Sequence, residues 1–185
     1  WINVAEITGI DELKYTTRDI KDYSELMNKR LEVLAENNLK LKDVQDVISK
    51  LEPLEGALEF LDWLKENTQV AIVSDTFKEF ADPLMEKLKR PMLFCNSLIV
   101  NGEDRIVDFV LRQPDQKRMV VKAMKSLNYE VVAFGDSYND ISMLQEADKG
   151  ILFRPSGNVI VDYPEFPVTQ RYDELKCLLN DYLNN

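Results

Sequence analysis

The sequence predicts an α/β fold, a parallel sheet with helices on both faces, and two features carry that expectation. Short continuous apolar runs, Val70-Ala71-Ile72-Val73, Met92-Leu93-Phe94-Cys95, Val131-Val132-Ala133-Phe134 and Ile151-Leu152-Phe153, have the length of strands buried on both faces. Between them lie stretches with helical apolar spacing, and alternation of the two kinds gives a parallel sheet. In such sheets ligands sit outside the carboxyl ends of the strands, so the polar residues just after each strand are the ones to inspect.

Taken in order, residues 1 to about 50 read as helices only. Trp1-Ile2-Asn3-Val4-Ala5-Glu6 opens the chain inside an amphipathic helical pattern with no cap ahead of it. Tyr23, Leu26, Met27, Leu31 and Leu34 then follow a 3.6-residue spacing, and Leu41, Val44, Val47 and Ile48 form a second stripe. Pro53 and Gly56 end that region, and a helix with Leu58, Phe60, Leu61 and Leu64 follows. After the strand ending at Val73 we expect a helix from about Phe77 to Leu88. Leu98-Ile99-Val100, Asn101-Gly102 and Arg105 to Leu111 read as a β-hairpin, because Asn-Gly is a strong short-turn signal. A helix from about Lys117 to Leu127 precedes the strand ending at Phe134, and the tail from Tyr172 to Leu183 is helical. The expected organisation is a helical cap over 1–52 and an α/β core over 53–185, with the hairpin near 98–111.

Composition narrows the chemistry. The 185 residues suit one compact α/β domain, and 45% hydrophobic with 30% charged residues is an ordinary globular balance. The net charge of −10 would repel a nucleic-acid backbone over most of the surface, so no nucleic-acid partner is expected. Any anionic ligand must be held locally. Cys95 and Cys177, the only cysteines, have no metal-like spacing and suit a reducing compartment. Histidine is absent, which removes the usual general base and every Ser-His or Cys-His pair. With no membrane-length apolar run and no signal peptide, the expected place is the cytoplasm, with no membrane partner. Both a monomer and a homodimer fit the sequence.

Four positions draw attention, each with a plainer alternative. Ser74-Asp75-Thr76-Phe77 follows a strand, where a hydroxyl beside helix amides suits a phosphate oxygen; Thr76 and Glu79 equally have the spacing of a helix-capping box. Gly135-Asp136-Ser137-Tyr138-Asn139-Asp140 follows another strand and gathers hard oxygen ligands suited to Mg²⁺. Ser137 and Asp140 also have cap-like spacing, but capping does not require Asp136, and neighbouring carboxylates without a cation repel. Lys117 and Arg118 lie near a helix start, where a cation opposes the helix dipole unless an anion is near; the alternative is a pair of solvated charges. Arg30 lies on the apolar stripe of Tyr23, Leu26, Met27 and Leu34, either covering the core with its stem or presenting its fork to a carboxylate.

The order of these groups, a strand with serine, a lysine at a helix start, then a strand with Gly-Asp-x-x-Asn-Asp, resembles the second, third and fourth motifs of the haloacid dehalogenase superfamily. The stretches Thr16-Thr17-Arg18-Asp19-Ile20, Asp22-Tyr23, Lys29-Arg30-Leu31, Pro53-Leu54-Glu55-Gly56-Ala57, Ser74-Asp75-Thr76-Phe77, Leu111-Arg112-Gln113 and Gly135-Asp136-Ser137-Tyr138-Asn139-Asp140 resemble one branch of it, the bacterial phosphoserine phosphatases that also act as phosphoserine:homoserine phosphotransferases. The resemblance runs from Trp1 to about Pro167 and implies a Rossmann-like parallel sheet with a small helical cap. It implies a Mg²⁺-dependent hydrolase of serine biosynthesis acting on phosphoserine, with homoserine as a further acceptor. By the same resemblance Ser74 and the Asp75 amide would bind the phosphoryl group and Lys117 would neutralise it. Asp136 would ligate Mg²⁺, Asn139 would contact substrate, Asp140 would orient its neighbours, and Arg30 would hold the substrate carboxylate.

That branch begins with a strand ending in Asp-x-Asp or Asp-x-Glu, whose first carboxylate attacks phosphorus and whose second protonates the leaving hydroxyl. No match stands in this sequence: Phe77 stands two residues after Asp75, and Tyr138 two after Asp136. We therefore expect a truncated chain that lacks the central first strand and turns over no substrate. A non-catalytic phospholigand-binding module, or a phosphatase for another small phosphomonoester, are the alternatives.

Overall fold

The computed structural model describes residues 1–16, 19–20 and 22–183. Thr17 and Arg18, part of one stretch behind the family resemblance, lie outside the described residues. The chain forms two compact units, one of residues 1–53 with 74–112 and the other of residues 54–73 with 113–185.

In the first unit, α1 (Ile2–Thr8), α2 (Tyr23–Glu36) and α3 (Leu41–Ile48) supply apolar faces read from their spacing. Asp22 caps α2 by accepting from the Glu25 amide at 2.8 Å, a cap that satisfies one of the orphan donors of the first turn. Their buried side chains, Val4, Met27, Leu34 and Val44 among them, share one core with Phe77, Phe80, Leu98 and Ile106. Burial of that apolar area is what holds short helices that would be marginal alone.

The second unit contains α4 (Ala57–Asn67), which follows the left-handed Gly56, at φ 79°. The strand β1 (Ala71–Phe77) begins in this unit and ends in the first. It runs past the end of its apolar stretch, so Ser74, Asp75 and Thr76 are strand residues rather than a strand-to-helix corner. The helix α5 (Lys78–Lys87) starts after Phe77 without a side-chain cap. The expected Thr76–Glu79 capping box does not form, because Glu79 accepts instead from the Leu98 amide at 2.8 Å.

The two runs around Asn96 belong to a single strand, β2 (Met92–Val100), paired antiparallel with β3 (Ile106–Val110). The hairpin is therefore present with a longer connection than Asn-Gly predicts. Residues 101–105 form the loop, Asp104 takes the left-handed conformation at φ 65°, and the Asn101 Oδ1 accepts from the amides of Glu103 and Arg105, each at 3.0 Å. In order β1-β2-β3, these strands make one three-stranded sheet.

A second three-stranded sheet has the order β4-β5-β6. Its strands, β4 (Val132–Gly135), β5 (Lys149–Phe153) and β6 (Val168–Thr169), are parallel throughout. Buried residues of α6 (Gln116–Ser126), α7 (Ile141–Glu146) and α8 (Gly157–Asp162) pack with Ala133 and Leu152, while α4 and α9 (Tyr172–Leu183) pack with Ile151. The α/β class and its parallel strands are as the sequence predicts. Among the described residues no helix is long and apolar enough to cross a membrane.

Candidate functional site

The candidate residues divide between the units, and each group is built by its own elements. Lys117, Asp136, Asn139 and Asp140 belong to the second unit. Immediately after β4 the chain turns through Ser137 into a short 3₁₀ turn, Tyr138–Asp140. Asp140 closes the turn on itself: its Oδ2 accepts from the Asp136 amide (3.1 Å), the Ser137 amide (3.1 Å) and the Ser137 hydroxyl (3.0 Å). Its Oδ1 accepts from Lys117 Nζ at 2.8 Å. The capping reading of this segment is correct, and the cap also fixes a lysine.

Gly135 is required there. A Cβ on it would lie 2.6 Å from the Asp140 Cβ and Cγ, inside any permitted contact distance. Burial opposes ionisation of Asp140, but the hydrogen bond and charge of Lys117, with the donors of Ser137, outweigh it and hold its carboxyl below the usual range. Both partners are desolvated, with side-chain exposures of 13% for Lys117 and 9% for Asp140. Lys117 is the second residue of α6, so the adjacent anion offsets the dipole cost of a cation at a helix start. Tyr138 extends away from the turn and donates from its hydroxyl to Asp162.

Asp136 and Asn139 stand exposed on the same turn. Among the described residues no group of three or more His, Cys, Asp and Glu side chains gathers around a metal position. With Asp140 saturated by four donors, Asp136 is the carboxylate this turn offers a cation. That fits Mg²⁺, which keeps several waters and takes one or two protein carboxylates.

In the first unit, Arg30 is buried to 7% exposure on α2. Its guanidinium donates to the Tyr15 carbonyl at 2.7 Å and lies 4.7 Å from the Trp1 ring. Its Nε is buried without a hydrogen-bond partner, an uncommon state for so polar an atom and one that suits a ligand acceptor. Burial pushes its pKa down to about 10, with the Tyr23 phenol acting in the opposite direction, so it is cationic at neutral pH.

Ser74 and Asp75 are half-buried on β1. The Ser74 Oγ accepts from the Thr76 amide at 3.2 Å, and the Asp75 carbonyl accepts from Tyr23 (3.2 Å) and from Asn96 (3.1 Å). Burial raises the pKa of Tyr23; the Arg30 charge acts against this and the Asp75 carboxylate with it, so phenol, guanidinium and carboxylate share one neighbourhood. Sequence reading missed Asn96, although a polar residue inside the stretch Met92–Val100 was a usable signal, and it placed Tyr23 on an apolar stripe and in the family resemblance without giving it a role.

The family model described as haloacid dehalogenase-like hydrolase matches residues 3–148. A phosphoserine phosphatase of Pseudomonas syringae pv. tomato is 57% identical over 95% of this chain and 74% of its own length. Phosphoserine phosphatase ThrH of Pseudomonas aeruginosa is 56% identical over 95% of this chain and 86% of its own. A crystal structure of a phosphoserine phosphatase in apo form superposes with a TM-score of 0.72 at 26% identity, covering 91% of this chain and 85% of that one. The chain belongs to the haloacid dehalogenase-like hydrolases and, within them, to the family of the phosphoserine phosphatases.

Proposed function

We propose that the protein binds phosphoserine and acts on it as a phosphomonoester hydrolase of this family. The observation that carries the reading is Lys117, an ammonium group held by a buried carboxylate whose other oxygen is filled by three donors at the carboxyl end of β4. Such a cation cannot swing away, and phosphoryl transfer depends on charges fixed in advance around the developing anion. In this reading Ser74 and the Asp75 amide take phosphoryl oxygens, Lys117 neutralises them, and Asp140 orients Lys117 and the turn. Asn139 touches the substrate, Arg30 pairs with its carboxylate, and Asp136 is a Mg²⁺ ligand. Bound Mg²⁺ would supply further neutralisation of the phosphoryl oxygens. Homoserine is the acceptor we propose beside water.

The covalent chemistry of such hydrolases requires a carboxylate nucleophile, and no Asp-x-Asp or Asp-x-Glu stands in these 185 residues. The experiment compares this polypeptide with the same polypeptide carrying an Asp-x-Asp strand ahead of Trp1. Titration calorimetry with phosphoserine should show binding by both, and Mg²⁺-dependent phosphate release should come from the extended form alone. Release by the 185-residue form would overturn the requirement for that carboxylate, whereas binding without release by both would favour a phospholigand-binding module. Absence of binding by either would remove phosphoserine as the ligand. Phosphoethanolamine, which lacks the carboxylate, separates phosphoserine from other small phosphomonoesters: Arg30→Ala should weaken phosphoserine alone. Formation of phosphohomoserine by the extended form checks the second acceptor.

A further inference from the structure

Asn96 lies in the interior of β2 at 4% exposure, where an amide side chain is costly unless both of its ends are paired. Both are. Its Nδ2 donates to the Asp75 carbonyl at 3.1 Å, and its Oδ1 accepts from the Arg112 amide at 3.1 Å. The same Asp75 carbonyl receives the Tyr23 hydroxyl at 3.2 Å. On the other side of that peptide group, the Thr76 amide donates to Ser74 Oγ at 3.2 Å. Carbonyl and amide of one peptide are held in a plane, so gripping the oxygen sets the direction of the N–H. That N–H in turn selects which lone pair of Ser74 Oγ acts as acceptor, and the hydroxyl hydrogen is turned away from it.

We propose that Asn96, with Tyr23 sharing its acceptor, is a positioning residue for anion recognition, aiming the Ser74 hydroxyl through the Asp75–Thr76 peptide. The inference rests on the reading of Ser74 as a phosphoryl ligand. It explains why a buried amide stands inside a mostly apolar strand, and why the carbonyl beside Ser74 takes donors from both α2 and β2. Its signature is coupling: Asn96 and Tyr23 should matter only while Ser74 carries its hydroxyl.

The test is a double-mutant cycle read by calorimetric titration of the 185-residue polypeptide with phosphoserine. Asn96→Leu and Tyr23→Phe each exchange one neutral side chain for another, so neither changes the net charge that an anion meets. Each should lower affinity about five- to tenfold when Ser74 is present, and less than about twofold when Ser74→Ala is already in place. Equal losses in the two backgrounds, or no loss in either, would overturn the inference and leave the functional reading intact. If Asn96→Leu does not fold, Tyr23→Phe carries the same test from the other donor. A parent chain that fails to bind phosphoserine would overturn the functional reading itself, an outcome distinct from variants that bind like their parent.

Discussion

The carboxylate of Asp140 shows how one side chain can serve structure and chemistry together. Its oxygens accept from Lys117, Ser137 and the Asp136 amide, so removing it would loosen the turn and take the carboxylate away from a desolvated ammonium group. Breaking so desolvated a pair costs about 3–5 kcal/mol. The pH dependence follows from its lowered pKa. A carboxyl that is more acidic folded than unfolded contributes stability at pH values above its unfolded pKa, about 3.9, and the contribution disappears as pH falls through the folded value. Urea unfolding of the protein and of Asp140→Asn should therefore differ most at pH 7 and converge as pH drops below about 4. A gap that stays constant down to pH 3 would show that the ionised form of Asp140 contributes nothing.

Among the elements, β5 is held closely by its neighbours. Gly150 pairs with Ala133 on β4, and a Cβ there would lie 2.6 Å from the Leu144 carbonyl oxygen of α7 and 2.7 Å from the Phe166 ring. The obstruction includes backbone, so Gly150→Ala should force α7 away from the sheet and cost about 1–3 kcal/mol in denaturant unfolding. An unchanged midpoint would mean that α7 is free to shift. Elements of this kind were legible in the sequence: the tail helix runs from Tyr172 to Leu183 as its periodicity predicts, and Val132–Gly135 lies within one residue of its apolar run. The end of β1 was not legible. Its apolar run stops at Val73, while the strand continues to Phe77 beside β2, a neighbour identified only by folding. The site divides the same way. Lys117, Asp136 and Asp140 became candidates through local patterns and their order along the chain, whereas the contacts of Tyr23 and Asn96 come from partners 52 and 21 residues away.

Across the whole molecule, an excess of acidic over basic residues, 33 against 23, leaves a net charge of −10. Self-repulsion of that size disfavours the compact state, and any salt relieves part of it by screening. A specific cation site must therefore be separated from general screening. At matched ionic strength, Mg²⁺ should raise the unfolding free energy above the value in NaCl, since a ligand that binds only the folded state stabilises it by mass action. At ten times its dissociation constant the excess is about 1.4 kcal/mol. Asp136→Asn should abolish that excess while leaving the response to NaCl unchanged, because Asp136 is exposed and only its backbone amide takes part in the Asp140 cap. The same excess in Asp136→Asn as in the parent would place the cation elsewhere. No excess in either would mean that the fold without substrate holds no Mg²⁺, and that the turn after β4 is built for Lys117 alone.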